Sequence, residues 1–236
     1  MLLCVLTLCG AFLVRAETAV VAGTPFGPSA LPMRDLRFAG FLEGLEAAVE
    51  ARDEQAILEL VDEECLVAHG GFHGREGFRQ YWFGTASPGG DLFGRLAAAL
   101  QLGGTVAGAD REFFVLPYTA LAPAEDLQGA LLGVVVAEKA KLRAAPGLKS
   151  AVRSELGQTL VRYCSNRFVP YKVDGREWVC LLGPDNKPGF ALREEVRSPL
   201  DTAFVFHRTE AGWRLTACGA GAELDLPQAS GRPSTR

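Results

Sequence analysis

His69 and His73, in the run Ala-His-Gly-Gly-Phe-His-Gly, stand at a spacing that metal sites use. Gly70 and Gly71 lie between them, so a regular helix does not present both imidazoles on one face. No Cys or carboxylate pattern supplies a third ligand, and the pair is expected to bond to backbone in a loop. Cys65 and His69 are the residue types of a thiol nucleophile and its base. The acidic run Asp62-Glu63-Glu64 precedes Cys65 and disfavours the thiolate, which blunts that chemistry. His207 lies in the tail and is expected to be exposed. His69 and Glu112 are the types a pocket uses for proton transfer, but nothing in the sequence aims them at one point. There is no Gly-rich phosphate loop, no Ser-centred elbow and no zinc-type Cys pairing. The expectation is a protein without catalytic residues, metal or cofactor.

A second group carries recognition rather than reaction. Tyr163, Phe168, Tyr171 and Trp178 fall within one short span. Such rings can form an aromatic groove for a peptide or glycan-peptide, or they can fill a core. Both readings stand at this point.

Composition narrows the partners. The chain has 236 residues, 48% of them hydrophobic and 22% charged, with 24 basic and 28 acidic residues and a net charge of −4. Mild acidity speaks against nucleic acid, which selects a basic face, and against a polybasic membrane anchor. The first residues read MLLCVLTLCGAFLVRAETAV. Leu2 to Val14 is too short an apolar run for a membrane span, and Val14-Arg15-Ala16 fits the small-x-small rule of signal peptidase. Residues 1–16 are therefore expected to be a signal peptide, although no Lys or Arg precedes the run. A buried N-terminal strand or helix is the alternative. Leu8 before Cys9 speaks against a lipid anchor. The expected location is periplasmic or secreted, with no span left after cleavage.

The elements that must position these residues follow from periodicity. Residues 17–33 carry Gly-Thr-Pro, Gly-Pro and Leu-Pro and read as an extended leader. Leu36, Phe38, Phe41, Leu42, Leu45 and Val49 recur at helical spacing behind a capping Asp35. Asp53 is placed to cap a second helix, and Leu66 to Ala68 is a short strand or connector. Gly74 to Phe83 reads as a further helix. Asp91 caps one that runs to Leu102 and stops at Gly103-Gly104. From residue 133 the pattern changes to short β segments divided by Pro, Gly and Asn turns. Ala203 to His207 and Trp213 to Cys218 flank a turn at Glu210-Ala211-Gly212 and read as a hairpin. Residues 224–236 are rich in Pro, Ser, Gly and Arg, and disorder is expected there.

Within the β-rich part the motif points fall in a telling order. They are Leu142-Arg143, Pro146-Gly147, Val152, Leu156-Gly157, Val161, Trp178-Val179, Gly189-Phe190-Ala191 and Val196. This order resembles the bacterial SH3-like domain over residues 133–198. The resemblance implies a small barrel, with Trp178 as its apolar plug and a groove for peptidoglycan peptides or envelope proteins. The insert between Cys164 and Trp178 departs from the pattern, and its Phe168 and Tyr171 can extend or block such a groove. More loosely, Asp53-Glu54-Gln55-Ala56, Gly74-Arg75-Glu76-Gly77-Phe78 and Gly212-Trp213-Arg214-Leu215 resemble parts of a nuclear transport factor 2-like cone, which implies a small-ligand or catalytic pocket.

The expected fold class is α+β. A mainly helical N-terminal domain over 34–132 is completed by the hairpin at 199–223, with an SH3-like β-barrel at 133–198 between them. Cys164 and Cys180 sit in strand-like segments of one module and are the preferred disulfide. Cys65 and Cys218 remain as a second bridge or as two buried thiols; four packed free thiols is the alternative.

Overall fold

A computed structural model describes residues 23–28, 35–67, 71–125, 129–165, 170–221 and 224. The expected signal peptide, most of the leader and nearly all of the tail lie outside these residues, as do His69 and Phe168.

Helix starts follow the sequence closely. In α1 (Leu36–Glu50), the Asp35 carboxylate accepts from the backbone N–H groups of Arg37 and Phe38 at 3.0 and 3.2 Å. In α2 (Glu54–Leu60), Asp53 accepts from Ala56 N–H at 3.0 Å. In α4 (Leu92–Leu102), Asp91 accepts from Gly94 N–H at 3.1 Å. Each cap satisfies a donor that the first turn leaves open. Gly103, at φ +84°, closes α4 in a conformation that side chains avoid. Helix α3 (Gly74–Phe83) follows strand β1 (Val61–Val67) and packs on it.

The first sheet also contains β2 (Thr105–Ala107), β3 (Phe113–Leu116), β12 (Thr202–Thr209) and β13 (Gly212–Ala220). Its order is β1-β13-β12-β3-β2, with β1 parallel to β13 and the other pairs antiparallel. The core between helices and sheet is aromatic. Phe38 meets Phe114 edge-on at 4.9 Å and Trp213 at 5.3 Å, and Phe41 meets Phe206 at 5.2 Å.

The second sheet holds β4 (Leu132–Val135), β5 (Ala140–Arg143), β6 (Val152–Leu156), β7 (Thr159–Tyr163), β8 (Tyr171–Val173), β9 (Arg176–Leu182), β10 (Pro188–Leu192) and β11 (Val196–Arg197). Its order is β11-β4-β7-β9-β10-β5-β6, with β8 on the edge of β9. One face buries Val135, Ala140, Leu142, Leu156, Val161, Tyr163, Val179, Leu181, Ala191 and Val196. Gly189 is required here, because a Cβ would lie 2.5 Å from Leu142 Cγ.

The expected fold class is corrected in two respects. The front of the chain is not a mainly helical domain. Its helices have 15, 7, 10 and 11 residues and are interspersed with strands of a five-stranded sheet. Strand β1 begins at Val61 and runs through the acidic stretch Asp62-Glu63-Glu64, earlier than the expected start at Leu66, and a register irregularity between Val61 and Leu66 blurs its alternation. Nor is the middle of the chain a closed barrel: β11 and β6 end the path without pairing, so the sheet stays open.

The two sheets meet at a small seam. Tyr118 and Ala122, in and after the 3₁₀ turn Tyr118–Leu121, pack on Val134 of β4 and Leu160 of β7. Phe26 stacks on Tyr118 at 5.9 Å. Backbone bonds of Gly23, Thr24 and Phe26 with Leu160 and Gln158, at 2.7–3.0 Å, hold this leader segment to β7. Among the described residues no helix is long and apolar enough to cross a membrane.

Candidate functional site

In antiparallel strands, directly opposed residues share a face. Phe190 opposes both Cys180 and Arg143, Leu192 opposes Trp178, and Tyr171 opposes Trp178. These side chains therefore lie on the outer face of the second sheet, away from the cluster around Val179, Leu181 and Ala191. Val152 opposes Arg143 and extends the row to β6.

Tyr171 is 48% exposed and Val152 46%, and the Tyr171 ring stands edge-on to Phe190 at 5.3 Å. The turn at Gly147, φ +131°, approaches Val173 and brings the exposed Leu148 to the same edge. The result is an apolar, aromatic surface that the protein's own core leaves partly in solvent.

Of the four rings expected to form a groove, the three described ones do not share one face. Trp178 is 1% exposed, and its indole N–H donates to the Val173 carbonyl at 3.4 Å. It is fully buried, opposite Tyr171 and Leu192 in the sheet, and it stands outside the aliphatic cluster. Tyr163 opposes Leu181 and lies inside the aliphatic core. Burial, only partly countered by Arg193, pushes its phenol up to about 12. Phe168 lies outside the described residues. Of the expected set, Tyr171 is on the surface with Trp178 below it, and Phe190 joins them. The signal for Phe190 was alternation: Gly189 and Ala191 are small and face inward, so the ring between them faces out.

A disulfide joins Cys164, just beyond β7, to Cys180 of β9 and backs this face. Cys65 and Cys218 are buried and free. A hydrogen bond with Cys218, then burial, hold the Cys65 thiol far above its ordinary range, which disfavours the thiolate.

The remaining candidates scatter. His73 precedes α3 and makes no capping bond with its side chain. Glu112 accepts from Asp110 N–H at 2.9 Å within its own turn. His207 packs its ring on Phe113 at 4.9 Å. Among the described residues no three His, Cys, Asp or Glu side chains gather as a metal-holding group. The space between the helices and the terminal hairpin is occupied by Phe78 and Leu96, with Phe41 and Leu60 packed against them.

No protein-family model, curated protein or solved structure matches this chain.

Proposed function

We propose that the protein is a non-enzymatic exported binding protein that recognises a peptide or protein of the cell envelope on the outer face of its second sheet. The observation that carries this reading is the half-exposed Tyr171 standing edge-on to Phe190. A Tyr ring offers a large rigid contact with a polar tip at low entropic cost, which suits it to recognition. Val152 and Leu148 supply apolar contacts beside it. The buried Trp178 fixes the backbone beneath the pair, so little ordering is left for binding.

Two further features support the reading. The motif order of residues 133–198 resembles the bacterial SH3-like domain, as an order of residues and not as a closed barrel. The Cys164–Cys180 bridge and the apolar N-terminal run fit an oxidising compartment.

Retention of the full chain on purified cell-wall sacculi tests it. The wild type is expected to be retained, and Tyr171→Ser to lose about tenfold in affinity with an unchanged unfolding midpoint. Tyr171→Ser retained as well as the wild type overturns the reading, and no retention of either removes the wall peptide as the ligand.

A further inference from the structure

A second surface, between the end of the β8–β9 hairpin and the 3₁₀ turn Arg193–Glu195, is built from charge. Two adjoining hollows share Arg193 and Arg197. One, of about 440 Å³, lies among Arg176, Glu177, Arg193, Glu194 and Arg197. The other, of about 370 Å³, lies between these arginines, α4 with its Arg95, and the segment at Asp201. Together they form a cleft where the two sheets meet, of the size that small-molecule sites have.

Some of these charges are already engaged. Arg95 donates to Thr202 Oγ1 at 2.8 Å and lies over the Trp82 ring at 6.0 Å. Arg193 donates to the Val196 carbonyl at 2.6 Å and faces Asp201 at 3.7 Å, while Asp201 accepts from Ser198 N–H at 3.2 Å. These contacts wire the 3₁₀ turn Arg193–Glu195 and the following segment together.

Arg197 is different. It opposes Val134, which packs on Tyr118, so its stem is held at the seam. Its Nε is buried and has no hydrogen-bond partner among the described residues. A guanidinium that lines both hollows and is not spent on a neighbouring carboxylate is suited to one planar oxyanion. On the same lip stand two loosely held carboxylates. Glu194 is 3.4 Å from Arg176, and Glu177 is 3.6 Å from Lys172. Their presence disfavours a polyphosphate or a simple dianion, because both would meet like charge.

We infer that this cleft binds a small zwitterion, a free amino acid or short peptide, with its carboxylate on Arg197 and its ammonium group toward Glu194 and Glu177. Mixed charge on the wall then acts as a filter: it accepts a molecule carrying both signs and rejects either sign alone. The inference does not rest on the Tyr171 face: Tyr171 lines neither hollow.

Calorimetric titration of the full chain with alanyl-alanine, N-acetyl-alanyl-alanine and alanyl-alaninamide tests it. These probes share a backbone and differ in charge. Alanyl-alanine is expected to bind, the acetylated form about tenfold more weakly, and the amide not at all. Arg197→Gln should abolish binding. Glu194→Gln should weaken alanyl-alanine and leave the acetylated form unchanged. Should Arg197→Gln fail to fold, the exposed Arg176→Gln still decides: it frees Glu194 and should tighten alanyl-alanine. No binding of alanyl-alanine to the folded protein overturns the inference, as does equal affinity for the acetylated form.

Discussion

The two sheets of this molecule stabilise themselves by different means. The first buries rings against rings: Phe38, Phe114, Phe206 and Trp213 are all nearly inaccessible and in mutual contact. The second buries mostly Val, Leu and Ala, with Tyr163 as the one ring in its main cluster. It adds a covalent bridge. The cysteines make the contrast explicit. Cys65 and Cys218, inside the aromatic unit, stay as neighbouring thiols, while Cys164 and Cys180 close a bond across a separation of 16 residues. Large rings supply the apolar contact of one unit, while the other joins an aliphatic cluster to a cross-link. Ring exposure follows the same division. The second sheet can display Tyr171 and Phe190 because neither belongs to its core cluster.

The largest expected effect breaks the first side of this contrast. Phe114→Ala should cost about 3–5 kcal/mol in denaturant unfolding, the range for deleting a fully buried ring. A loss under about 1 kcal/mol, typical of surface substitutions, would mean that the ring lattice is not what holds the unit.

Next comes the bridge. Cys164→Ala with Cys180→Ala should cost about 3 kcal/mol, the value for closing a loop of this size. Hydrogen exchange should accelerate first in β7 and β9 and leave β12 and β13 unchanged. Equal acceleration in both sheets would erase the division.

The smallest effect is electrostatic. Burial holds the Glu195 carboxyl above its usual range, with a further push from Glu194, while Arg143 and Lys141 oppose the shift. A raised acid favours the folded state in its neutral form. That contribution is present below the unfolded value and is lost as pH rises through the folded one. Glu195→Gln should therefore gain stability relative to the wild type as pH climbs from 4.5 upward. A difference that stays flat with pH would show that this turn is fully solvated.

Local signals were legible and long-range ones were not. The caps at Asp35, Asp53 and Asp91 and the stop at Gly103 are written in single side chains, and the structure uses each of them. The parallel pairing of β1 with β13 joins Val61 to Leu215, far apart in the chain, and nothing local announces it. That is why the front of the molecule reads as more helical than it is. The open second sheet reads as a closed barrel for a similar reason. Short strands between tight turns are common to both, and closure depends on whether the end strands meet. At the outer face, Tyr171 was visible as one of a run of aromatics, but which face each ring takes depended on register. Tyr163 and Trp178 sit on opposite faces, because one opposes Leu181 and the other Leu192. Arg197 gave no sign of its own, since its isolation comes from a seam between distant segments.

The interleaving of the chain's two ends sets an order on its synthesis. Residues 23–26 dock on Leu160 and Gln158, and β1 waits for β13 as its neighbour. An early segment thus completes the later sheet, and the latest strands complete the earlier one. The first sheet cannot reach its final shape while the ribosome still holds the last hairpin, so a truncated translation product would expose unfinished β edges on β1 and β3, which is the form that proteases and chaperones recognise.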